Sequence, residues 1–253
     1  MNVKISPVLT AGLLLWGTAA FAAHPLITDD AGTLGKGNSQ LEVNGQYDHD
    51  DEDGVREESS ELALTLSYGL VDNADLVVGI PYQAIRSKEA GMTAAADGIS
   101  DTSLEVKWKF YDQESMSLAL KPGLTLPTGD KLKGLGAGKA TYSVFLVATN
   151  EASRIACHMN LGYIRNENLT DERKNLWHAS FATELKLSKD LVVVANIGLE
   201  QNPDPSSNTA PAFLLGGLIY SINESVDIDF GVKGGLSRPE PDYSLLAGMK
   251  VGF

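Results

Sequence analysis

Apolar and polar residues alternate at every second position through most of this chain, and no other feature constrains its fold as strongly. The segments 62–68, 104–110 and 226–233 each carry large apolar side chains on one face and small, polar or charged side chains on the other. Residues 243–253 repeat the pattern. Because successive side chains of an extended strand point to opposite faces, this period predicts β-strands between an apolar and a polar environment.

Twelve such segments follow one another, each of about 9 to 11 residues, which is the length that a tilted strand needs to cross a bilayer. They begin near Asn38, Ser59, Asp75, Asp101, Met116, Ala140, Arg154, Asn175, Leu191, Pro211, Val226 and Tyr243. Long polar connections (48–58, 87–100, 128–139, 167–174, 202–210 and 237–242) alternate with tight turns (70–74, 112–115, 150–153, 188–190 and 222–225). Outer-membrane barrels have long extracellular loops and short periplasmic turns, so the chain is predicted to be all-β, a twelve-stranded antiparallel up-and-down transmembrane β-barrel.

Aromatic residues near the predicted strand ends support this fold over a secreted β-sandwich, which also has short alternating strands. Membrane barrels carry aromatic girdles at both interfaces. The predicted girdle residues are Tyr68, Tyr82, Phe110, Tyr163, Trp177, Tyr243 and Phe253. A strand that ends on Phe253 also resembles the C-terminal signal that the outer-membrane assembly machinery reads.

The first residues are predicted to be a secretory signal peptide. Lys4 precedes the apolar run 8–16, and small residues follow at 19–23. This order of a charged region, an apolar region and a small-residue cleavage site is typical of such peptides. We expect residues 1–22 to be removed, with cleavage after Ala22 or Ala23, and residues 23–253 to form the barrel.

Composition excludes several classes of protein. With 33 acidic and 20 basic residues, the net charge of −13 argues against a nucleic-acid partner. The single cysteine cannot form an intramolecular disulfide, and no Cys/His cluster has the spacing of a metal site. No later stretch offers 18 consecutive apolar residues, so a helical membrane protein is excluded. No metal and no cofactor is predicted.

Several stretches together resemble the outer-membrane transporter family called MetA-pathway of phenol degradation. They are 24–32, 68–76, 79–82, 107–111, 121–130 and 243–248, and the resemblance spans nearly the whole mature chain. It implies an outer-membrane barrel that helps small aromatic or apolar molecules cross. The family supplies no catalytic residues to carry over.

If the apolar faces contact lipid, the opposite faces line the lumen. The predicted lumen-lining residues are Glu42, Glu61, Glu105, Lys107, Lys109, Lys121, His158, His178, Glu184, Lys186, Glu200, Asp227, Asp229, Lys233 and Lys250. Turn lengths place Lys121 across from Glu105 or Lys107, and Lys250 near Asp229. Two interpretations stay open: rings of charge that line a passage, or ion pairs that fill a narrow lumen.

Two further features belong to the predicted wall and loops. Pro81 and Pro122 lie inside predicted strands, where proline removes a ladder donor, so they are candidate sites of a bulge or gap in the wall. The connection 48–58 is rich in Asp and Glu and is predicted to be a solvated acidic loop.

An embedded lipid hydrolase is the enzymatic alternative. Ser180 lies two residues from His178 on the same predicted face, but no third group is evident that would orient the histidine, and both residues read as lumen-facing. His158 and His178 are expected at different levels of adjacent strands, so they do not pair. We predict no catalytic residues.

The sequence therefore predicts a passive channel or facilitator for small, including aromatic or apolar, molecules. The alternative is a closed structural or adhesion barrel without transport. The expected location is the outer membrane of a Gram-negative bacterium. The expected partners are outer-membrane lipid, lipopolysaccharide, the assembly machinery and a small-molecule substrate that the sequence does not identify.

Overall fold

The computed structural model describes residues 24–52 and 54–253, and over these residues the chain forms thirteen strands and one short 3₁₀ turn, Lys131–Lys133. The strands are β1 (Ser39–Glu52), β2 (Val55–Val71), β3 (Ala74–Glu89), β4 (Met92–Ile99), β5 (Thr102–Gln113), β6 (Met116–Leu126), β7 (Thr141–Ala152), β8 (Ile155–Arg165), β9 (Asn175–Lys186), β10 (Leu191–Glu200), β11 (Ala212–Asn223), β12 (Val226–Gly235) and β13 (Tyr243–Gly252).

The strands form a closed antiparallel barrel with twelve strand positions, as predicted. Strands that follow one another in sequence pair, except β4 and β5, which both pair with β3; β1 pairs with β13, and pairing of β2 with β3 completes the circle. The extra strand arises because β4 and β5 lie end to end beside β3. β5 pairs with Ala74–Gly79, and β4 pairs with Tyr82–Glu89.

The alternation of the sequence appears directly as alternating exposure. In β2, Leu62, Leu64 and Leu66 point outward and are 50%, 44% and 51% exposed, whereas Thr65 and Ser67 point inward and are buried. An exposed apolar face of this kind is expected where lipid rather than water surrounds the wall. Within the described residues, no helix has the length and apolar character needed to cross a membrane.

All but one of the predicted strand starts lie within one residue of an observed start, but two of the predicted loops are wrong. The connections predicted at 48–58 and 87–100 are mostly strand, because β1 and β2 continue to a tight turn near Gly54, and β3 and β4 to a turn at 90–91. Charged residues in these stretches alternate between the two faces, and they pair across the hairpins. The charged residues of these two stretches therefore belong to strands that extend into water and not to loops. The predicted signal peptide lies outside the described residues.

We call residues 48–52, 55–60 and 83–98, which project beyond the rest of the wall, the hairpin extension. They stand at the end of the barrel where the long loops lie, here called the loop end; the opposite end, with the short connections, is the turn end. The longest loop, 127–140, is fastened beside the extension by Asp101, whose carboxylate accepts hydrogen bonds from Gly129 N–H (2.9 Å) and Ala137 N–H (2.8 Å). Ser100 Oγ also donates to the Leu135 carbonyl at 2.8 Å.

Two acids on the inner face of the extension face each other directly, because Asp50 pairs with Glu57. Burial, followed by the charges of Asp242 and Glu52, raises the pKa of Asp50. Burial, followed by the charge of Asp50, raises the pKa of Glu57. A raised pKa means that the folded hairpin binds protons more readily than the unfolded chain, so lowering the pH from 7 through these pKa values stabilises the hairpin.

We therefore expect Asp50→Asn to stabilise the hairpin at pH 7, by on the order of 0.2–1 kcal/mol for one like-charge cross-strand pair, and to reduce its dependence on pH. Hydrogen exchange of the hairpin amides, corrected for intrinsic rates at pH 5 and pH 7, measures both effects. Asp51→Asn is the matched control, since Asp51 lies opposite Arg56 rather than an acid. Equal gains in the two variants would show that the Asp50–Glu57 repulsion is not the cause.

Candidate functional site

Residues 24–38, called the N-terminal segment below, run through the inside of the barrel before β1 begins. Thr28 and Asp29 are completely buried, and Leu26 and Ala31 pack into two apolar clusters with barrel residues. The sequence left open whether the lumen is filled. Over the described residues it is occupied by this segment, which contacts strands on all sides of the wall.

The beginning of the segment lies against β11, β12 and β13. His24 hydrogen-bonds through Nδ1 to the carboxylate of Asp229. Pro25 occupies space that two glycines leave open, since a Cβ atom on Gly217 would lie 2.6 Å from the Pro25 ring and one on Gly231 would lie 2.7 Å from it. The wall is therefore shaped to accept this end of the segment.

Asparagine side chains hold the middle of the segment by its backbone. Asn196 Oδ1 accepts from Ile27 N–H (2.7 Å) and Thr28 N–H (3.0 Å), and Asn196 Nδ2 donates to Thr28 Oγ1 (2.7 Å). Asn160, with its amide oriented by the network, accepts from Asp29 N–H (2.6 Å) and donates to the Asp29 carbonyl (2.9 Å). Buried backbone groups of a segment outside the sheet need such partners.

Asp29 is the electrostatic centre of the lumen. Its carboxylate accepts from Lys107 Nζ at 2.8 Å and from Lys121 Nζ at 3.0 Å, and Lys121 also lies 3.5 Å from Glu105 Oε2. All four side chains are at most 8% exposed. Removing one partner from a buried pair leaves an uncompensated charge and typically costs about 3–5 kcal/mol. Asp29 therefore couples the N-terminal segment tightly to β5 and β6.

The segment leaves the lumen along β2, β3 and β7. Ala31 N–H donates to Thr149 Oγ1 (2.9 Å), and Leu34 N–H donates to Asp75 Oδ2 (2.9 Å). At the turn end, a Cβ atom on Gly69 would lie 1.9 Å from the Gly35 carbonyl oxygen, so only glycine lets the two backbones approach this closely.

Apolar side chains flank the charged centre on two sides. One cluster joins Leu26 to residues of β9, β10, β11 and β13; its barrel members are Ala182, Val194, Phe213, Leu215, Ile219 and Leu246. The other joins Ala31 to Ala119, Phe145 and Val147 on β6 and β7. On the remaining side, between the segment and β1, β2, β3, β5, β6 and β13, a cavity of about 220 Å³ is lined mostly by polar residues, among them Glu42, Ser67 and Asp75.

The predicted lumen residues lie on inward-facing positions, and most of them make charged or polar contacts there. Besides those already described, these contacts are Glu42–Gln40, Glu61–Gln83, Lys109–Asp112, His158–Thr149, Glu184–His158, Lys186–Glu151, Lys233–Glu240 and Lys250–Asp227. Whether any of them controls passage stays a prediction.

One predicted pairing is wrong. Lys250 lies opposite Asp227, with Nζ 2.5 Å from Oδ2, and not near Asp229, which instead holds His24. The reason is the loop between β12 and β13: Gly234 pairs with Tyr243, two positions out of the assumed register. Lys121 does reach Glu105, but diagonally, because Glu105 pairs with Gly123.

The prediction that no group orients His178 is also wrong. The register of β9 and β10 places Glu200 opposite His178, with His178 Nδ1 3.2 Å from Glu200 Oε2 and His178 Nε2 3.0 Å from Ser180 Oγ. These three groups have the order of a hydrolase triad. Acyl transfer also needs N–H donors that stabilise an oxyanion. Ser180 is paired with Asn160 on one side and Gly198 on the other. The backbone amides around it are therefore part of the sheet ladder.

The predicted girdle residues Tyr68, Tyr82, Phe110, Tyr163, Trp177, Tyr243 and Phe253 are between 40% and 73% exposed. Tyr82 lies within β3 rather than at its end, because β3 continues into the hairpin extension. Among the described residues, no group of three or more His, Cys, Asp or Glu side chains is placed to hold a metal ion.

Both predicted wall prolines coincide with interruptions of the ladder beside β5. The partner of β3 changes from β5 to β4 around Pro81, whose carbonyl accepts from Ser100 N–H at 2.9 Å. The β5–β6 ladder is interrupted between Glu105–Gly123 and Trp108–Leu120, next to Pro122. β5 is thus flanked by a break on each side.

Residues 23–253 match the model of the family described as "Putative MetA-pathway of phenol degradation". The chain belongs to this family. The match covers the whole barrel and the N-terminal segment. No curated protein sequence matches the chain.

Solved structures share this family member's fold at low sequence identity. The COG4313 outer membrane channel from Pseudomonas putida F1 has a TM-score of 0.72 at 15% identity, over 88% of this chain and 98% of that one. The NanC porin has a TM-score of 0.55 at 11% identity, over 83% and 98% of the two chains. The CymD monoaromatic hydrocarbon channel has a TM-score of 0.51 at 9% identity, over 87% and 88%. The fold is thus that of bacterial outer-membrane channels and porins.

Proposed function

We propose that this protein is a passive facilitator for small apolar molecules, aromatic ones included, in the outer membrane of a Gram-negative bacterium, and that it acts after removal of its signal peptide. The family description and the similarity to channels support a transport role. On this proposal the loop end is extracellular and the turn end is periplasmic.

We infer the class of substrate from the apolar clusters inside the lumen. Lumens of general porins are polar and filled with water. Here the N-terminal segment occupies the centre, and Phe213, Leu215 and Leu246 form a buried apolar cluster with its Leu26, while Phe145 is buried in a second cluster with its Ala31. An apolar solute that displaces the segment from these side chains gains free energy there, whereas an ion meets lysines and carboxylates that already pair with each other.

We further propose that apolar solutes leave through the wall beside β5. The N-terminal segment obstructs the axial route, and the ladder is interrupted on both sides of β5, near Pro81 and near Pro122. A ladder with such breaks has fewer hydrogen bonds to open than a continuous ladder of the same length.

A reversible crosslink tests this route. In a Cys157→Ala background, Val78→Cys with Leu104→Cys joins β3 to β5, because these residues are paired on the outer face. Paired Cα atoms lie within the span of a disulfide. We expect cells that make the protein to take up labelled phenol and toluene several-fold faster than cells without it. The oxidised crosslink should abolish the difference, and a reductant should restore it.

The matched control is Met159→Cys with Phe181→Cys, an outer-face pair in the uninterrupted β8–β9 ladder, whose oxidation should leave uptake unchanged. Equal uptake by the oxidised and reduced β3–β5 variant would contradict the lateral route. Uptake no faster than in cells lacking the protein would instead support the closed structural or adhesion barrel.

A further inference from the structure

The outer face of the hairpin extension carries a group of basic residues in a strongly acidic chain. Arg56 on β2 and Arg86 and Lys88 on β3 all point outward, and Arg56 pairs with Lys88 across the two strands. Paired Cα atoms in antiparallel strands are about 4.5–5.5 Å apart, and positions i and i+2 about 7 Å. We call these three residues the outer basic patch.

Three acidic residues share the outer face with the patch. Arg56 Nη2 bonds Glu58 Oε1 at 2.9 Å, and Glu58 is also the cross-strand partner of Arg86. Asp51 lies opposite Arg56 on β1, and Asp97 on β4 accepts a hydrogen bond from Tyr82. Over residues 24–52 and 54–253, no ion pair involves Arg86 or Lys88, and both are exposed. β4, the next strand along, places the short side chains of Thr93 and Ala95 beside them. A bulky anionic ligand can therefore approach Arg86 and Lys88 from the side of β4.

The distance of the patch from the apolar layer of the membrane determines which part of the outer leaflet it contacts. Tyr82 lies below it on β3, pointing outward like the tyrosines that mark the boundary of the apolar layer. Arg86 is four residues and Lys88 six residues further along the strand. At roughly 3.3 Å per residue and a tilt of about 40°, these side chains stand some 10 to 15 Å above the tyrosine. In the outer leaflet this is the layer of phosphorylated sugars.

We propose that the outer basic patch binds phosphate groups of lipopolysaccharide. Guanidinium groups match phosphate oxygens with two parallel hydrogen bonds, and a lysine adds a compact charge. Because the chain has a net charge of −13, the rest of its surface repels this anionic layer. A local basic patch therefore orients the protein in the layer. The inference rests on the outer-membrane location proposed above, but not on the route or the substrate.

Equilibrium binding of fluorescent rough-type lipopolysaccharide to the detergent-refolded protein tests the proposal. We expect binding to the wild type, binding at least tenfold weaker to Arg86→Glu with Lys88→Glu, and an intermediate loss for Arg86→Gln with Lys88→Gln. Dephosphorylated lipopolysaccharide should bind all of them equally weakly. Arg154→Glu with Lys189→Glu makes the same charge change in two turns at the turn end and should bind like the wild type.

Three results would overturn the proposal: equal binding by the wild type and both patch variants, equal binding of phosphorylated and dephosphorylated ligand by the wild type, or the same loss in the turn-end control. Heat-modifiable mobility in electrophoresis shows that each variant is a folded barrel. Because phenol and toluene uptake is measured separately, failure of this binding does not affect the transport proposal, and failure of transport leaves the binding result intact.

Discussion

Asp29→Ala should open the lumen, which the N-terminal segment occupies in the wild type. Asp29 is the shared partner of Lys107 and Lys121, and its loss takes from Lys107 the carboxylate that it hydrogen-bonds and from Lys121 the nearer of two carboxylates, since Glu105 lies 3.5 Å away. Breaking a buried pair in this way costs about 3–5 kcal/mol, and every 1.4 kcal/mol changes an equilibrium constant about tenfold. We expect the N-terminal segment to leave the lumen, because the lysines then gain water.

Nitrocefin entry into intact cells that contain a periplasmic β-lactamase measures this opening, and we expect a rise of at least tenfold. Asp30→Ala is the matched control, since it removes the same charge one residue away, where the carboxylate accepts a hydrogen bond from Gly32 N–H of its own segment and, among the described residues, forms no ion pair within 4 Å. It should raise entry far less. Equal entry in the two variants would show that the Asp29 ion pairs do not hold the segment.

Gly231→Val should displace the beginning of the N-terminal segment without changing any charge. A Cβ atom at this position would lie 2.7 and 3.0 Å from Pro25 side-chain atoms, and the next nearest contact is 3.7 Å away, so the segment rather than the wall has to move. Overpacking of this kind costs about 1–3 kcal/mol. We expect hydrogen exchange of the amides of Ile27 and Thr28 to become about tenfold faster.

Gly216→Val provides the comparison, because it makes the same substitution one strand away at a position with no atom within 4 Å of the added Cβ. Exchange of the two amides should then stay at the wild-type rate. If Gly231→Val also left it unchanged, Pro25 would not be seated against β12 as described.

The sequence predicts the wall well because the two faces of a strand are a local property. The alternation in 62–68 and in 226–233 marks strands whatever their neighbours are, and the short turns limit which strands pair. The same locality explains the failures. The stretches 48–58 and 87–100 look like loops by composition, and the pairing of Lys250 depends on how many residues the preceding loop consumes.

The N-terminal segment escaped prediction for a different reason. Residues 24–38 have no period, and their partners Asn160, Asn196 and Lys107 lie on separate strands far along the chain. One signal was present in the sequence: Asp29, together with Asp30, precedes the first strand, while Lys107 and Lys121 were assigned to the lumen. Buried lysines require acids, and an acid outside the wall could have been considered as their partner.

Single-channel conductance in planar bilayers, comparing the wild type with a variant that lacks residues 25–34, tests most directly whether the chain closes its own barrel. The contacts of Pro25, Asp29 and Leu34 predict small or undetectable steps for the wild type and large, uniform steps for the variant. Equal conductance of the two proteins, both shown to be folded by heat-modifiable mobility, would contradict the account.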